Sequence, residues 1–198
     1  MTEKRTYNLG RRAETAAETR QRLVEATSAL HNARGVSAVS LRDIAEEAGV
    51  SVGTAYHHFP TYLDAVRACA AHHAVVSALP PETIFDGTRG VEARVRLFVR
   101  ELCGWYERHS WLERIRAERS SYPPIEEAMM HIAAGIEQLA RTAARCTAEE
   151  ARTIAALSDV AVFSALRRGG MSPTRAINRM TEAVLAWLRS RNSKRRRA

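Results

Sequence analysis

The chain has 198 residues, 45% of them apolar, which allows one large globular domain or two small ones. Its formal charge of +8 is mostly a tail effect, because RSRNSKRRRA at the end carries six Lys or Arg and no acid, leaving +2 on residues 1–188. No apolar run reaches the roughly 18 residues that span a bilayer, MTEKRTYNLGRR lacks a signal-peptide core, and Cys69, Cys103 and Cys146 sit singly in helical patterns, so a cytoplasmic protein with reduced thiols and no membrane partner is expected.

Residues 1–12 are polar and basic without periodicity and read as a flexible arm. A helix begins near Thr15: Leu23, Ala26, Thr27 and Leu30 fall at i, i+3, i+4 and i+7, and Gly35 is placed to end it in a left-handed cap. Ser40 then precedes Leu41, Ile44, Ala45 and Ala48 at the same spacing, with Asp43 completing a capping box. Gly49 stops this two-turn helix and Val50 is a single apolar plug. Ser51 N-caps another short helix, whose inward positions are Ala55 and Phe59. After Pro60, Thr61 opens a fourth helix with Asp64 at the capping-box position. Helices this short are stable only when packed on one another, so residues 13–79 are expected to form a compact domain.

The segment SALPPETIFDGTRG (77–90) is a Pro/Gly-rich break, and residues 80–190 beyond it read as helix throughout. Val91, Val95, Phe98, Val99, Leu102 and Tyr106 form a stripe running to about His109. WLERIRAER is a short helix, and Pro123–Pro124 opens another through about Cys146. Thr147 and Glu150 make a capping box for a helix over about 148–168 with Ile154, Leu157, Ala161 and Leu166, ended by Gly169–Gly170. Ser172–Pro173 starts the last helix, about 173–190, with Ile177, Met180, Val184, Leu185 and Leu188, followed by a basic tail over 191–198. Nothing reads as a strand, so the fold class is all-α.

A short helix, a Gly-containing turn and a second helix of different surface character make a helix-turn-helix. Gly49 permits the positive φ of the turn, Val50 anchors the corner, and Ser51 satisfies the free N–H groups that begin the second helix. Val52, Gly53, Thr54, Tyr56, His57 and His58 then face elsewhere, a surface without acids. DNA favours such a surface: Thr54 and His57 are able to bond base edges, Val52 to touch a thymine methyl, and Gly53 to let the backbone approach closely.

SLRDIAEEAGVSVGTAYHHFPTYLDAV closely resembles the recognition segment of the tetracycline-repressor (TetR) family of transcriptional regulators. The pattern IAxxAGVSxGTxYxHF is recovered at Ile44, Ala45, Ala48, Gly49, Val50, Ser51, Gly53, Thr54, Tyr56, His58 and Phe59. The resemblance implies an N-terminal three-helix helix-turn-helix domain and a larger C-terminal helical domain that binds a small molecule and dimerises through its last two long helices. It implies that Arg42, Val52, Gly53, Thr54 and His57 meet bases in the major groove and that Ser40, Tyr56, His58 and Tyr62 hold phosphates. Tyr62 stands where the family usually carries a lysine and has one neutral hydrogen bond to donate. The expected partners are double-stranded DNA with a palindromic operator, a second copy of the chain, and a small-molecule effector of unidentified structure.

Other readings of the same residues are weaker. Adjacent histidines such as His57–His58 and His72–His73 point about 100° apart on a helix and make no clean ligand pair, so no metal and no cofactor is expected. Cys103 near His109, or Asp159 near Ser158 and Ser164, lacks the surrounding motif of a catalytic site, so an enzyme is not expected. Trp105, Tyr106, Trp111, Met129, Met130 and Phe163 are candidates to line an effector pocket. Arg116 and Glu118 read as a solvated helix face. The rival function is a small-molecule-binding protein that does not engage an operator.

Overall fold

The computed structural model describes residues 3–195, with side chains for residues 13–191. Among these the chain forms ten α-helices and two short 3₁₀ segments, with no strand. The helices are α1 (Glu3–Arg34), α2 (Leu41–Glu47), α3 (Val52–His58), α4 (Tyr62–Val76), α5 (Val91–Arg108), α6 (Leu112–Ala117), α7 (Pro123–Ala144), α8 (Ala148–Leu157), α9 (Val160–Arg168) and α10 (Pro173–Arg195). They divide into two compact units. One comprises the chain through Ser77 together with residues 114–128, and the other takes residues 78–113 and everything from Met129 onward.

The first unit is built from the expected stripes. Leu23, Ala26, Thr27 and Leu30 of α1 are buried, with the Thr27 hydroxyl donating to the Leu23 carbonyl, and so are Leu41, Ile44, Ala45 and Ala48 around α2. Ala55 and Phe59 complete the core from α3, and Val50 packs against it at the corner. Both capping boxes form, Ser40 with Asp43 and Thr61 with Asp64, which satisfies orphan N–H groups at the start of α2 and α4. Gly35 and Gly49 adopt positive φ, +88° and +63°, as a left-handed cap and a tight turn demand.

The second unit buries Val95, Phe98, Val99, Leu102 and Tyr106 of α5 against Met180, Val184, Leu185 and Leu188 of α10, with α8 and α9 alongside. The helix expected over 148–168 is broken. α8 ends at Leu157, Ser158 is its C-cap, and Asp159 N-caps α9 through a bond from the Ala161 N–H. The cause lies in α5: the buried Tyr106 hydroxyl donates to the Ser158 carbonyl at 3.1 Å, taking the acceptor that a continuous helix would use.

Three further expectations are corrected. α1 starts at Glu3 rather than near Thr15, so the backbone of the anticipated arm is helical from that residue, with Gly10 its only strong breaker. The arm's side chains, residues 1–12, lie outside the described residues, as do Met1, Thr2 and the last three residues of the basic tail altogether; α10 runs on to Arg195. The segment 114–128, expected within the C-terminal domain, is instead part of the first unit.

Candidate nucleic-acid interface

α3 presents an exposed surface with no acidic residue. Ser51 accepts a bond from the Thr54 N–H at 3.1 Å and exchanges another with the Thr54 hydroxyl at 2.8 Å, which fixes the first turn and the Thr54 side chain. Val52 and Tyr56 are exposed, and Gly53 and His57 are exposed beside them. The rings of His57 and His58 meet edge to face, with centroids 5.4 Å apart. Burial first, and then the neighbouring His57 and Arg20 charges, hold the His58 imidazole below its ordinary value.

Gly53 is the telling position. A Cβ built on it would approach nothing closer than the Ser51 Oγ, at 3.8 Å, and its φ is not positive. Neither packing nor backbone conformation requires glycine there, although glycine weakens a helix relative to alanine by about 0.5–1 kcal/mol. Glycine at this position leaves the α3 backbone open to close approach by another surface.

The corner of the helix-turn-helix is held from α1. The Arg22 guanidinium donates to the Ala48 carbonyl at 2.5 Å and the Gly49 carbonyl at 3.3 Å, placing a cation on the negative end of α2. Arg42 is exposed on α2, with no carboxylate in ion-pair distance among the described residues, while Arg34 lies 3.9 Å from Asp43.

Two residues assigned to phosphates have other work. The Ser40 hydroxyl donates to the Asp43 carboxylate while accepting its N–H, and these bonds hold the Asp43 carboxyl below its ordinary value. Ser40 therefore positions α2 instead of offering a free donor. The Tyr62 hydroxyl donates to the Val36 carbonyl and lies 2.9 Å from His31 Nε2. Since its one proton goes to Val36, His31 must supply the other, as the neutral Nε2–H tautomer. The Tyr62 ring also meets Tyr122 edge to face. Burial, followed by the influence of Tyr122 and Glu118, raises its phenol further above the physiological range. Tyr62 is thus turned into the first unit, and its role is to tie α4 to the α1–α2 loop.

That loop is the second focus of the unit. Glu118, anticipated as part of a solvated face, accepts the N–H groups of Val36 and Ser37 at 3.0 and 2.7 Å. Burial alone would raise its carboxyl, but bonds from Ser37 and Val36 outweigh it and hold the group below its ordinary value. Arg114, one turn earlier, donates to the Asn32 and Ala33 carbonyls at 2.9 and 2.8 Å, so a cation sits on the C-terminal end of α1. Gly35 leaves room for this clasp, since a Cβ there would stand 2.6 Å from Glu118 Oε1. His31, 4% exposed, has its pKa lowered to about 4, chiefly by burial.

Of the effector-pocket candidates, Trp105, Tyr106 and Phe163 are in the core of the second unit, and Trp111 and Met129 pack against it. Met130 is not with them: it is 56% exposed, one position out of phase with the inward face of α7 that carries Ile136, Leu139 and Ala140.

Residues 23–61 match the profile of bacterial regulatory proteins of the tetR family. The chain is 42% identical over 73 residues to the HTH-type transcriptional repressor KstR of Rhodococcus jostii (strain RHA1), a match covering 37% of this chain and 30% of that protein. It is 39% identical over 70 residues to KstR of Mycolicibacterium smegmatis, over 35% of this chain and 30% of that one. The chain thus spans under a third of the length of these curated relatives. Among solved structures it resembles the multidrug binding protein EbrR complexed with imidazole, with a TM-score of 0.65 at 22% identity over 85% of this chain and 89% of that one. It also resembles HlyIIR, a hemolysin II transcriptional regulator, with a TM-score of 0.60 at 12% identity over 85% and 97% of the two chains. At these identities the likeness is one of fold: an N-terminal helix-turn-helix unit and a C-terminal helical unit.

Proposed function

We propose that the chain, whose residues 23–61 match the tetR family of bacterial regulatory proteins, is a ligand-responsive transcriptional repressor that binds an inverted-repeat operator as a homodimer. The observation that carries this reading is α3: an exposed, acid-free surface with Val52, Thr54 and His57 presented around a glycine that the protein's own packing does not require. A major groove admits a helix of this kind, and hydroxyl, imidazole and methyl groups read its base edges. Arg42 adds a cation on α2, and Tyr56 and His58 are left as the phosphate-facing donors.

Dimerisation is assigned to α8, α9 and α10, the helices within 148–168 and 173–190. Val162 on α9 is exposed there, and Leu166, Ile177 and Trp187 are only half-buried, apolar surface that a second copy would cover. Two recognition helices must stand about 34 Å apart, one DNA turn, to enter successive grooves. An effector bound among the helices of the second unit, near Trp105, Tyr106, Trp111, Met129 and Phe163, would act by changing that separation. A coupling of about 1–3 kcal/mol gives a several-fold to hundred-fold response. EbrR, the fold neighbour, was crystallised with imidazole, which supports a small organic effector here. A cytoplasmic location follows from this function; no helix among the described residues is long and apolar enough to cross a membrane.

The test is the double variant Thr54→Ala/His57→Ala, with binding measured against DNA selected by the wild-type chain. Specific binding should disappear while the helical content and oligomeric state stay unchanged. Retained sequence preference in the double variant refutes the reading.

A further inference from the structure

With Tyr62 turned inward and Ser40 committed to its cap, the flank of α3 is left with neutral donors, yet a duplex backbone is held by cations. The described arginines nearest the helix-turn-helix are mostly engaged: Arg22 on the Ala48 and Gly49 carbonyls, Arg34 beside Asp43. Like Arg42 on α2, Arg20 on α1 is open. It is exposed, and among the described residues no carboxylate pairs with it within ion-pair distance. Its guanidinium lies over the ring of Phe59, 5.1 Å from the centroid. Phe59 is the C-cap residue of α3 and is itself buried, so the platform is rigid. A guanidinium stacked on an aromatic face keeps its in-plane N–H donors pointing outward, and its conformational freedom is already reduced. Its charge is felt at His58, on the last turn of α3.

We propose that Arg20 is a phosphate ligand of the DNA interface, a cation held at the C-terminal end of α3 by stacking on Phe59. This rests on the DNA-binding reading of α3. Arg20 supplies from α1 the charge that the first turn of α4 lacks, where Tyr62 is directed at Val36 and His31. The Arg20 donors bind non-bridging phosphate oxygens next to the groove that α3 enters, and His58 contributes a neighbouring N–H. The contact is blind to sequence: it fixes how the helix sits on the backbone, while Thr54 and His57 read bases.

The full chain is used to select duplexes from a random pool, and the wild type, Arg20→Ala and Arg20→Lys are then titrated against a selected duplex and a mixed-sequence duplex over a KCl series. Arg20→Ala should weaken binding to both duplexes by a similar factor, and should flatten the dependence of log K on log salt by about 0.9 for each protomer. Arg20→Lys should restore the slope and recover part of the affinity, since it keeps the charge and loses the planar fork. Unchanged slope and affinity in Arg20→Ala, with wild-type selection intact, overturns the role of Arg20 and leaves the DNA reading standing. A loss confined to the selected duplex likewise overturns it, because a base contact would be implied. If the wild type enriches no sequence, the DNA-binding reading fails, and this inference with it.

Discussion

Replacing Gly53 by alanine separates what the fold needs from what its partner needs. The new methyl would sit 3.8 Å from the Ser51 Oγ, an ordinary van der Waals distance, and the backbone φ at residue 53 is compatible with any L-residue. Nothing in the protein resists the change, and alanine is worth about 0.5–1 kcal/mol over glycine in a helix, the lower end applying this close to the N-cap. A gain of about 0.5 kcal/mol corresponds to a rise in Tm of roughly 2–4 °C for a domain of this size. On DNA the sign reverses, because the methyl intrudes where the α3 backbone meets base edges. A misfit there costs about 1–3 kcal/mol, the range of a good base contact, or roughly fivefold to a hundredfold in affinity. Thermal melts followed by helical dichroism, together with titration of wild type and variant on the same selected duplex, measure both effects. A variant that is destabilised would refute the packing argument, and one that binds DNA as tightly as the wild type would refute the close approach of α3.

Acid should weaken the first unit through His31. Its folded pKa of about 4 lies below the ordinary 6.5, so the unfolded chain takes up a proton that the folded one refuses; stability is full above about pH 6.5 and falls as pH drops toward 4. The difference amounts to about 3 kcal/mol at the lower limit. Denaturation between pH 7 and 4.5 should show this loss in the wild type and a shallower pH dependence in His31→Gln; parallel profiles would contradict it. Glu118→Ala leaves two loop N–H groups without their carboxylate and should destabilise the first unit by about 1–2 kcal/mol, read as faster amide exchange at Val36 and Ser37. Tyr62→Phe keeps the ring against Tyr122 and removes the bonds to Val36 and His31, so a loss of about 1 kcal/mol is expected in chemical denaturation with no change in the salt slope of DNA binding; a changed slope would return Tyr62 to the phosphate contacts.

Periodicity and capping chemistry carried most of the fold. The stripes at Leu23–Leu30 and Leu41–Ala48, the three capping boxes opened by Ser40, Thr61 and Thr147, and the positive φ of Gly35 and Gly49 are all local, and a chain read residue by residue exposes them. Several of the misreadings have a different origin, polar bonds between residues far apart in sequence. Tyr62 reaches Val36 across 26 positions, Glu118 reaches Ser37 across 81, and Tyr106 interrupts the α8–α9 helix from 52 positions away. No periodicity registers such bonds, and those of Tyr62 and Glu118 redirect side chains whose type alone suggested a surface role. The same holds for Arg20: its position on α1 is plain in the sequence, but the Phe59 ring beneath it is not.

The central claim, that α3 reads a groove as one of a symmetric pair, is tested most directly by incubating the full chain with a random pool of duplexes and sequencing what it retains. An inverted repeat whose half-site centres lie about one helical turn apart is the expected result. Retention of duplexes with no shared sequence, or of a single unrepeated site, would contradict it.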